Sequence, residues 1–166
     1  NAKAQLPGFY DPLMKDFNCI DLFSILTPKQ QEQIFTIYGL SSKLKIHQDH
    51  TFLFLTRFAK YLKNPDVFHH MYLNSALLDL FAKDHQVIIK PHPRDYSGTY
   101  SLSYPNAIVL ERTFPSELLP FLQDKKYNRI MTIGSSAIDS LNEFGNQIFK
   151  FGEELEEKSS FLFTYY

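Results

Sequence analysis

The sequence predicts an α/β protein built on a parallel β-sheet with helices on both faces. Short runs of consecutive apolar residues recur along the chain, and such runs are typical of strands that are covered on both sides. Helix signals or long crossovers separate the runs, and this alternation is typical of parallel sheets. The length of 166 residues fits one compact domain.

Five apolar runs are predicted to be strands. They occupy residues 52–55, 87–89, 107–110, 130–133 and 147–151. We expect a sheet of five or six strands in which the first four runs lie side by side. The arrangement is Rossmann-like, and in such sheets ligands bind at the carboxyl ends of the strands.

Four helices are predicted from capping residues, prolines in a first turn and closing glycines. The first begins with Thr27-Pro28-Lys29-Gln30, a capping box, and ends near Gly39. The others begin at Asn64-Pro65, at Pro115 and at Ser136, and Gly145 ends the last of them. The helix after Asn64-Pro65 carries an apolar stripe of Val67, Met71, Leu77, Leu78 and Phe81.

Residues 6–25 form a loop-rich segment in which no element is predicted. The chain is therefore divided into a segment of residues 1–49 with one helix and a Rossmann-like domain of residues 50–166, packed as one compact domain. Its first residue is Asn1 and not Met, which we take to indicate a fragment of a longer protein.

Composition argues against several classes of protein. With 17 basic and 18 acidic residues the net charge is −1, which speaks against broad nucleic-acid binding. The single cysteine, Cys19, cannot form an intramolecular disulfide, so a reducing, cytoplasmic location is expected. No apolar run approaches the roughly 20 residues of a membrane span. No Gly-x-Gly-x-x-Gly or Walker motif is present, which disfavours a nicotinamide cofactor and a P-loop.

The loop Lys90-Pro91-His92-Pro93-Arg94-Asp95 follows a predicted buried strand. Its two prolines restrict the backbone and remove two amide donors, so His92 is presented on a stiff segment. Lys90 and Arg94 flank His92 with positive charge, and two cations beside a titratable imidazole suit a phosphate group. The alternative is an ordinary polar loop with a turn at Pro93.

The sequence Gly134-Ser135-Ser136 lies at the end of another predicted strand and at the start of a helix. Gly134 lets a ligand approach the backbone closely. The two hydroxyls lie beside the free amides of a helix N-terminus, which attract anions. In the alternative interpretation Ser136 only caps the helix, with Asp139 three residues on.

A third loop, Phe114-Pro115-Ser116-Glu117, lies between these two in sequence. Glu117 could bind a ribose diol through its carboxylate, or could only stabilise a helix N-terminus electrostatically. His69-His70 fall within a predicted helix, where packing or surface roles are expected. His47, Asp49 and His50 form a polar cluster that is a weak candidate for metal binding, and no metal site is predicted.

In order and spacing, these three motifs resemble those of the bacterial sialyltransferases of two-domain GT-B architecture, which act in lipooligosaccharide and capsule synthesis. That family carries Lys-x-His-Pro after a strand, Pro-x-Glu at the start of a short helix and a Ser-Ser pair after Gly in its C-terminal, nucleotide-binding domain. The resemblance covers residues 52–151. Pro91 stands where some relatives have Gly.

The resemblance implies a binding site for a nucleotide-sugar donor, first of all CMP-sialic acid, with no metal or other cofactor required. It makes His92 the catalytic group that hydrogen-bonds and protonates the departing CMP phosphate. Glu117 would bind the ribose hydroxyls, and Ser135 and Ser136 would hold phosphate oxygens. The full set expected at the donor is Lys90, Pro93, Arg94, Phe114, Pro115, Glu117, Gly134, Ser135 and Ser136, with Phe114 and Pro115 beside the base.

In the family, an N-terminal domain binds the acceptor glycan and supplies the acid/base carboxylate, and this chain shows no such domain. We therefore expect the chain to be inactive alone, and the full-length enzyme to be cytoplasmic or peripherally associated with the inner face of the cell membrane. Two alternatives stay open. One is a GT-B transferase for another donor, such as the glycerol- and ribitol-phosphate transferases of wall teichoic acid. The other is a nucleotide-binding scaffold without catalysis.

Overall fold

The computed structural model describes residues 19–40, 50–58, 67–95, 97–152 and 154–155. Within these ranges five strands form one sheet in the order β3-β2-β1-β4-β5, and every neighbouring pair is parallel. The strands are β1 (Thr51–Leu55), β2 (Gln86–Lys90), β3 (Ile108–Val109), β4 (Tyr127–Ile133) and β5 (Gly145–Phe151). The predicted parallel sheet, with its first four strands side by side, is confirmed.

In the described ranges, helical segments precede β1 or connect the strands. Four are α-helices: α1 (Cys19–Ser24), α2 (Pro28–Ile37), α3 (Val67–Phe81) and α4 (Ser97–Ser103). Two are 3₁₀ helices, Ser116–Phe121 and Ser136–Phe144. None of the helices in the described ranges is both long and apolar enough to cross a membrane.

The sheet separates two apolar cores, because alternate side chains of a strand point to opposite faces. Leu53 and Leu55 of β1 belong to the core formed with α1, α2 and the two 3₁₀ helices. Phe52 and Phe54 belong to the core formed with α3 and α4. The expectation of helices on both faces is thereby confirmed. Each such buried side chain stabilises the fold by about 1.5–3 kcal/mol relative to an exposed one.

The helix α2 begins and ends where the sequence predicts. Thr27 Oγ1 accepts the main-chain amide of Gln30 at 3.4 Å, and Gln30 Oε1 accepts the amide of Thr27 at 2.9 Å. Both bonds of the capping box are therefore present. The helix ends at Ile37, and Gly39 follows with φ of +75°, a conformation that favours glycine.

The helices α1 and α4 were not predicted. Within residues 6–25, for which no element is predicted, the structure has α1, and residues 1–18 lie outside the described residues. Phe23 of α1 packs against Phe35 and Phe121, with ring centroids 5.3 and 4.6 Å apart. A six-residue helix is stabilised by tertiary contacts of this kind and not by its own propensity, so sequence signals miss it. The segment before residue 50 thus contains two described helices.

The buried stripe of α3 also differs from the prediction. Leu77 and Leu78 are buried, but the stripe continues through His70, Leu73 and Asn74, while Met71 is only partly buried. The spacing of three and four residues is that of one helix face, and polar side chains occupy part of it. The predicted start at Asn64-Pro65 lies outside the described residues, as do His47 and Asp49 of the weak metal candidate.

The last helix spans Ser136–Phe144 and is followed by Gly145, as predicted. Its N-cap is Ser135 and not Ser136, because Ser135 has extended backbone and its hydroxyl accepts the amide of Ala137 at 3.3 Å. Asp139 is paired with Lys150 at 2.6 Å. Ser136 is consequently released from the capping role and is exposed.

Candidate functional site

A cavity of about 190 Å³ opens at the carboxyl ends of β1, β2 and β4, where the fold class places ligand sites. The pairing register sets these ends level, since Leu55 lies opposite both Lys90 and Thr132. The lining residues come from four segments that are distant in sequence. They are Leu55, Thr56, Lys90, Pro91, His92, Pro93, Ser116, Ser135, Ser136 and Ala137.

The loop that carries His92 has few main-chain N–H groups. Because residues 91 and 93 are prolines, the segment from Pro91 to Asp95 holds three main-chain N–H groups. The amide of His92 donates to Thr56 Oγ1 at 3.0 Å, and that of Arg94 donates to Nδ1 of His92 at 3.1 Å. The amide of Asp95 donates to the carbonyl of His92 at 2.9 Å. All three amides therefore hold His92 in place.

The imidazole of His92 is also held from its face. The ring of Phe58 stacks on it with centroids 5.9 Å apart and planes 16° from parallel. Burial lowers the pKa of His92 below its usual 6.5; the Asp95 carboxylate opposes this shift, and the charges of Lys90, Arg94 and Arg57 add to it. His92 is accordingly neutral at pH 7 in the ligand-free chain.

Lys90 lines the cavity but directs its ammonium at the backbone. Its Nζ donates to the carbonyls of Pro91 and Arg112, the second at 2.9 Å. Burial lowers the pKa of Lys90 to about 8, opposed by the carboxylates of Glu117, Asp95 and Glu111. In this geometry Lys90 ties the loop after β2 to the loop after β3, and its predicted contact with a nucleotide stays a prediction.

Ser135 and Ser136 line the same cavity as the His92 loop, and Gly134, directly before them, is outside the lining. Gly134 has φ of +69°, and the guanidinium of Arg57 lies so close that a Cβ at this position would overlap Nη1. The hydroxyl of Ser135 accepts the amide of Ala137, while Ser136 is exposed at the cavity wall. Ser135 and Ser136 thus bring two hydroxyls to the cavity wall, and Gly134 leaves room for the Arg57 guanidinium beside them.

The third predicted loop contributes less directly. Ser116 lines the cavity, whereas its neighbour Glu117 is exposed and is absent from the lining. Phe114 is 2% exposed, with its ring 6.3 Å from Phe35 and 5.4 Å from Tyr38. Its side chain therefore anchors the loop in the core, and the predicted contacts of the loop with ribose and base stay predictions.

The remaining predicted residues differ in position. Pro93 is exposed and lines the cavity, while Arg94 is exposed outside the lining. Pro115 is the N-cap residue of the 3₁₀ helix Ser116–Phe121. His70 is 2% exposed, consistent with a packing role. Among the described residues, no cluster of three or more His, Cys, Asp or Glu side chains could hold a metal ion.

Several residues that support the site are given no role by the sequence analysis. Thr56 is 3% exposed, and its Oγ1 donates to Asp95 Oδ2 at 3.1 Å. The same carboxylate oxygen accepts the hydroxyl of Tyr100 at 2.9 Å. Thr56 and Arg57 directly follow a predicted strand, and this position predicts that they lie at the ligand edge of the sheet without indicating what they bind. Nothing in the sequence indicates that Phe58 stacks on His92 or that Tyr100 donates to Asp95.

Comparison with known proteins places this geometry in context. Residues 15–150 match the family model described as Glycosyltransferase family 52. An uncharacterized protein of Haemophilus influenzae is 42% identical over 52 residues, which are 31% of this chain and 16% of that protein. An α/β-galactoside α-2,3-sialyltransferase of the luminous marine bacterium Photobacterium phosphoreum has a similar fold. Its TM-score is 0.50 at 15% identity, over 78% of this chain and 37% of that one. The chain spans less than two-fifths of either protein.

Proposed function

The chain belongs to glycosyltransferase family 52, and on that premise we propose that it binds the nucleotide-sugar donor of a sialyltransferase-like enzyme, with CMP-sialic acid as the donor. One observation carries the proposal: His92, Ser135 and Ser136, from loops more than 40 residues apart in sequence, line one cavity at the ligand edge of the sheet. Titratable, hydroxyl and cationic groups together suit a phosphate.

The donor phosphate is held between the two loops. Nε2 of His92 donates to one phosphate oxygen from the neutral ring, and the hydroxyls of Ser135 and Ser136 donate to others. Arg57, beside Gly134, adds positive charge from the side of β1. The carboxylate of Glu117, next to Ser116 on the cavity wall, accepts the ribose hydroxyls from the rim.

The chemistry that follows is metal-independent transfer with inversion at the sugar carbon. An acceptor hydroxyl attacks that carbon while its bond to the phosphate oxygen breaks, and the electron pair of that bond leaves with CMP. His92 stabilises the charge that develops on the phosphate, because a donor placed in advance acts most strongly where charge appears. The proton of the acceptor hydroxyl passes to a carboxylate of the enzyme's other half.

The size of the cavity supports the view that this chain is half of a cleft. Small-molecule sites usually enclose about 300–1,000 Å³, and this cavity has about 190 Å³. The acceptor glycan then binds to a second domain outside this chain, and the chain alone transfers no sugar. We infer a place for the whole enzyme in the synthesis of bacterial surface glycans, in the cytoplasm or at the inner face of the membrane.

Nucleotide titration tests the proposal. The chain is titrated with CMP, UMP and GMP side by side by calorimetry or ligand-observed NMR. We expect CMP to bind preferentially with a Kd of tens of micromolar to millimolar, about 4–6 kcal/mol, since half a cleft leaves the ligand partly solvated. His92→Ala should weaken CMP binding by about 1–3 kcal/mol, the value of a hydrogen bond to a charged group.

The matched control is His85→Ala. His85 precedes β2 at one end of the strand, while His92 follows it at the other. Removing the distant imidazole should leave CMP binding unchanged. Equal binding of all three nucleotides that ignores His92, or no binding at millimolar concentration, would favour the scaffold alternative. A preference for UMP or GMP would keep a nucleotide-sugar transferase and discard the sialic-acid donor.

A further inference from the structure

We propose that Thr56 and Asp95 are positioning residues that hold His92 as the tautomer protonated on Nε2. The inference rests on the proposed function in that His92 is taken as the residue that contacts the donor phosphate. It deepens that function by stating how the contact is prepared before a ligand arrives. Neither residue contacts the donor in this scheme; each acts through His92.

The first step is the role of the Thr56 hydroxyl. Thr56 lies directly after β1, the central strand, and is 3% exposed. Its Oγ1 accepts the amide of His92 at 3.0 Å and donates to Asp95 Oδ2 at 3.1 Å. Its own amide donates to the carbonyl of Lys90 at 3.1 Å. The buried Thr56 therefore forms hydrogen bonds with the His92 loop at its beginning, middle and end, that is, at Lys90, His92 and Asp95.

The second step is the role of the Asp95 carboxylate, which accepts the Thr56 hydroxyl. Asp95 Oδ2 also accepts the hydroxyl of Tyr100, a residue of α4 that is 5% exposed and belongs to the core formed with α3. Arg112 Nη1 donates to the carbonyl of Asp95 at 3.3 Å. The carboxylate thus links the loop to the core on one face of the sheet, while Thr56 links it to the sheet itself.

The third step is the tautomer. An amide can donate to Nδ1 of His92 only when that nitrogen carries no proton, so the bond from Arg94 makes the neutral ring the Nε2–H form. Rotation of the ring would place a carbon opposite this amide. The turn that brings Arg94 to this position is closed by the amide of Asp95 on the carbonyl of His92. Thr56 and Asp95 fix both ends of that turn.

The test follows the His92 ring in the whole chain by ¹H–¹⁵N NMR, in wild type and in Thr56→Val, Thr56→Ser and Thr132→Val. Valine matches threonine in shape and lacks the hydroxyl. Thr132 is the matched control, because its hydroxyl is also fully buried and donates to Leu55 at 2.8 Å on the adjacent strand. Both valine variants lose one buried hydroxyl, but only one of these hydroxyls touches the His92 loop.

We expect the wild-type neutral ring to be Nε2–H. Thr56→Val should raise the Nδ1–H fraction and speed amide hydrogen exchange at His92 at least about tenfold, since each 1.4 kcal/mol of lost protection is a factor of ten. Thr56→Ser should restore wild-type behaviour, and Thr132→Val should leave the ring unchanged. Tyr100→Phe, which keeps the buried ring, should give a smaller change in the same direction.

Binding of CMP adds a second readout. Thr56→Val should weaken it by about fivefold, and Thr56→Ser by less than twofold. A wild type that does not bind CMP would sink the proposed function, while the NMR comparison would still decide the positioning role. An Nδ1–H ring in the wild type, or equal changes in Thr56→Val and Thr132→Val, would overturn the inference even if CMP binds.

Discussion

The guanidinium of Arg57 lies against Gly134, across the carboxyl ends of two neighbouring strands. Gly134 has φ of +69°, and a Cβ there would overlap Nη1 and lie 3.2 Å from Cδ of Arg57. Glycine therefore serves two purposes at this position: it accepts a backbone conformation that other residues resist, and it leaves room for the Arg57 guanidinium next to Ser135, which lines the cavity.

Gly134→Ala tests this relationship. The backbone strain of a side chain at positive φ should destabilise the chain by about 1 kcal/mol. The methyl group should also displace the flexible end of Arg57, which weakens CMP binding. Gly39→Ala is the control, because Gly39 has φ of +75° and nothing lies within 4 Å of its Cβ position. Denaturant unfolding should show similar losses for both variants. Equal CMP affinities for the two would disprove a role for Arg57.

The pH dependence of donor binding follows from the lowered pKa of His92. A bound phosphate stabilises the imidazolium, so the pKa of His92 should rise on binding. By linkage, affinity should then increase as pH falls from about 7 toward the pKa of the free ring. The methyl ester of CMP is the suitable ligand, since a phosphomonoester itself titrates with a pKa of about 6. NMR titration with and without this ligand measures the pKa of His92 in the bound and the free chain. An affinity that decreases as pH is lowered from 7 would contradict the expectation.

Protonation of His92 should lower the stability of the ligand-free chain, although it favours donor binding. Because the pKa of His92 is lowered in the folded chain, the unfolded chain binds protons more readily near pH 6.5. The neutral ring of His92 therefore contributes to the free energy of unfolding above pH 6.5. This contribution is lost as pH falls through the pKa that His92 has in the folded chain. Ligand-free His92→Ala should lack this small acid dependence.

From the lowered pKa of Lys90 we predict that the chain becomes more stable at alkaline pH. Its pKa is about 8 in the folded chain against 10.5 ordinarily, so the unfolded chain binds the extra proton between these values. The free energy of unfolding of wild type, minus that of Lys90→Met, should increase by about 2–3 kcal/mol from pH 7 to pH 10.5. Lys126→Met, at an exposed position, controls for the lost charge. A difference that does not vary with pH would contradict a buried charge at Lys90.

For Tyr127 we predict the opposite pH dependence, a contribution to stability that is lost at alkaline pH. Its hydroxyl is buried and donates to the carbonyl of Leu119 at 2.6 Å, and burial raises its pKa well above 10. Tyr127→Phe should cost about 1–2 kcal/mol at neutral pH, because it leaves a buried carbonyl without its donor. The group stabilises the fold fully below pH 10, and this contribution is lost as pH rises further. Urea unfolding at pH 7 and at pH 11 should show the gap between the two chains narrowing.

The sequence by itself determined the architecture. Buried parallel strands are uninterrupted apolar runs, so β1, β2 and β4 could be predicted from the sequence pattern alone, and the position of the carboxyl edge of the sheet then followed. The capping box at Thr27 was equally legible, because a cap depends on residues three positions apart. Local signals also indicated that loops after β2 and β4 would hold His92, Ser135 and Ser136.

Only the tertiary structure decided how those residues are held. Thr56 and Asp95 are 39 residues apart, and Phe58 and His92 are 34 apart, so neither contact has a local signature. Lys90 reads as a free cation in sequence, yet β2 buries it and its ammonium finds two carbonyls. The family resemblance implies that Phe114 lies beside the base, yet its ring packs against Phe35 of α2 and against Tyr38. A side chain's charge and hydroxyls are written in the sequence; which partners satisfy them depends on what the fold packs around them.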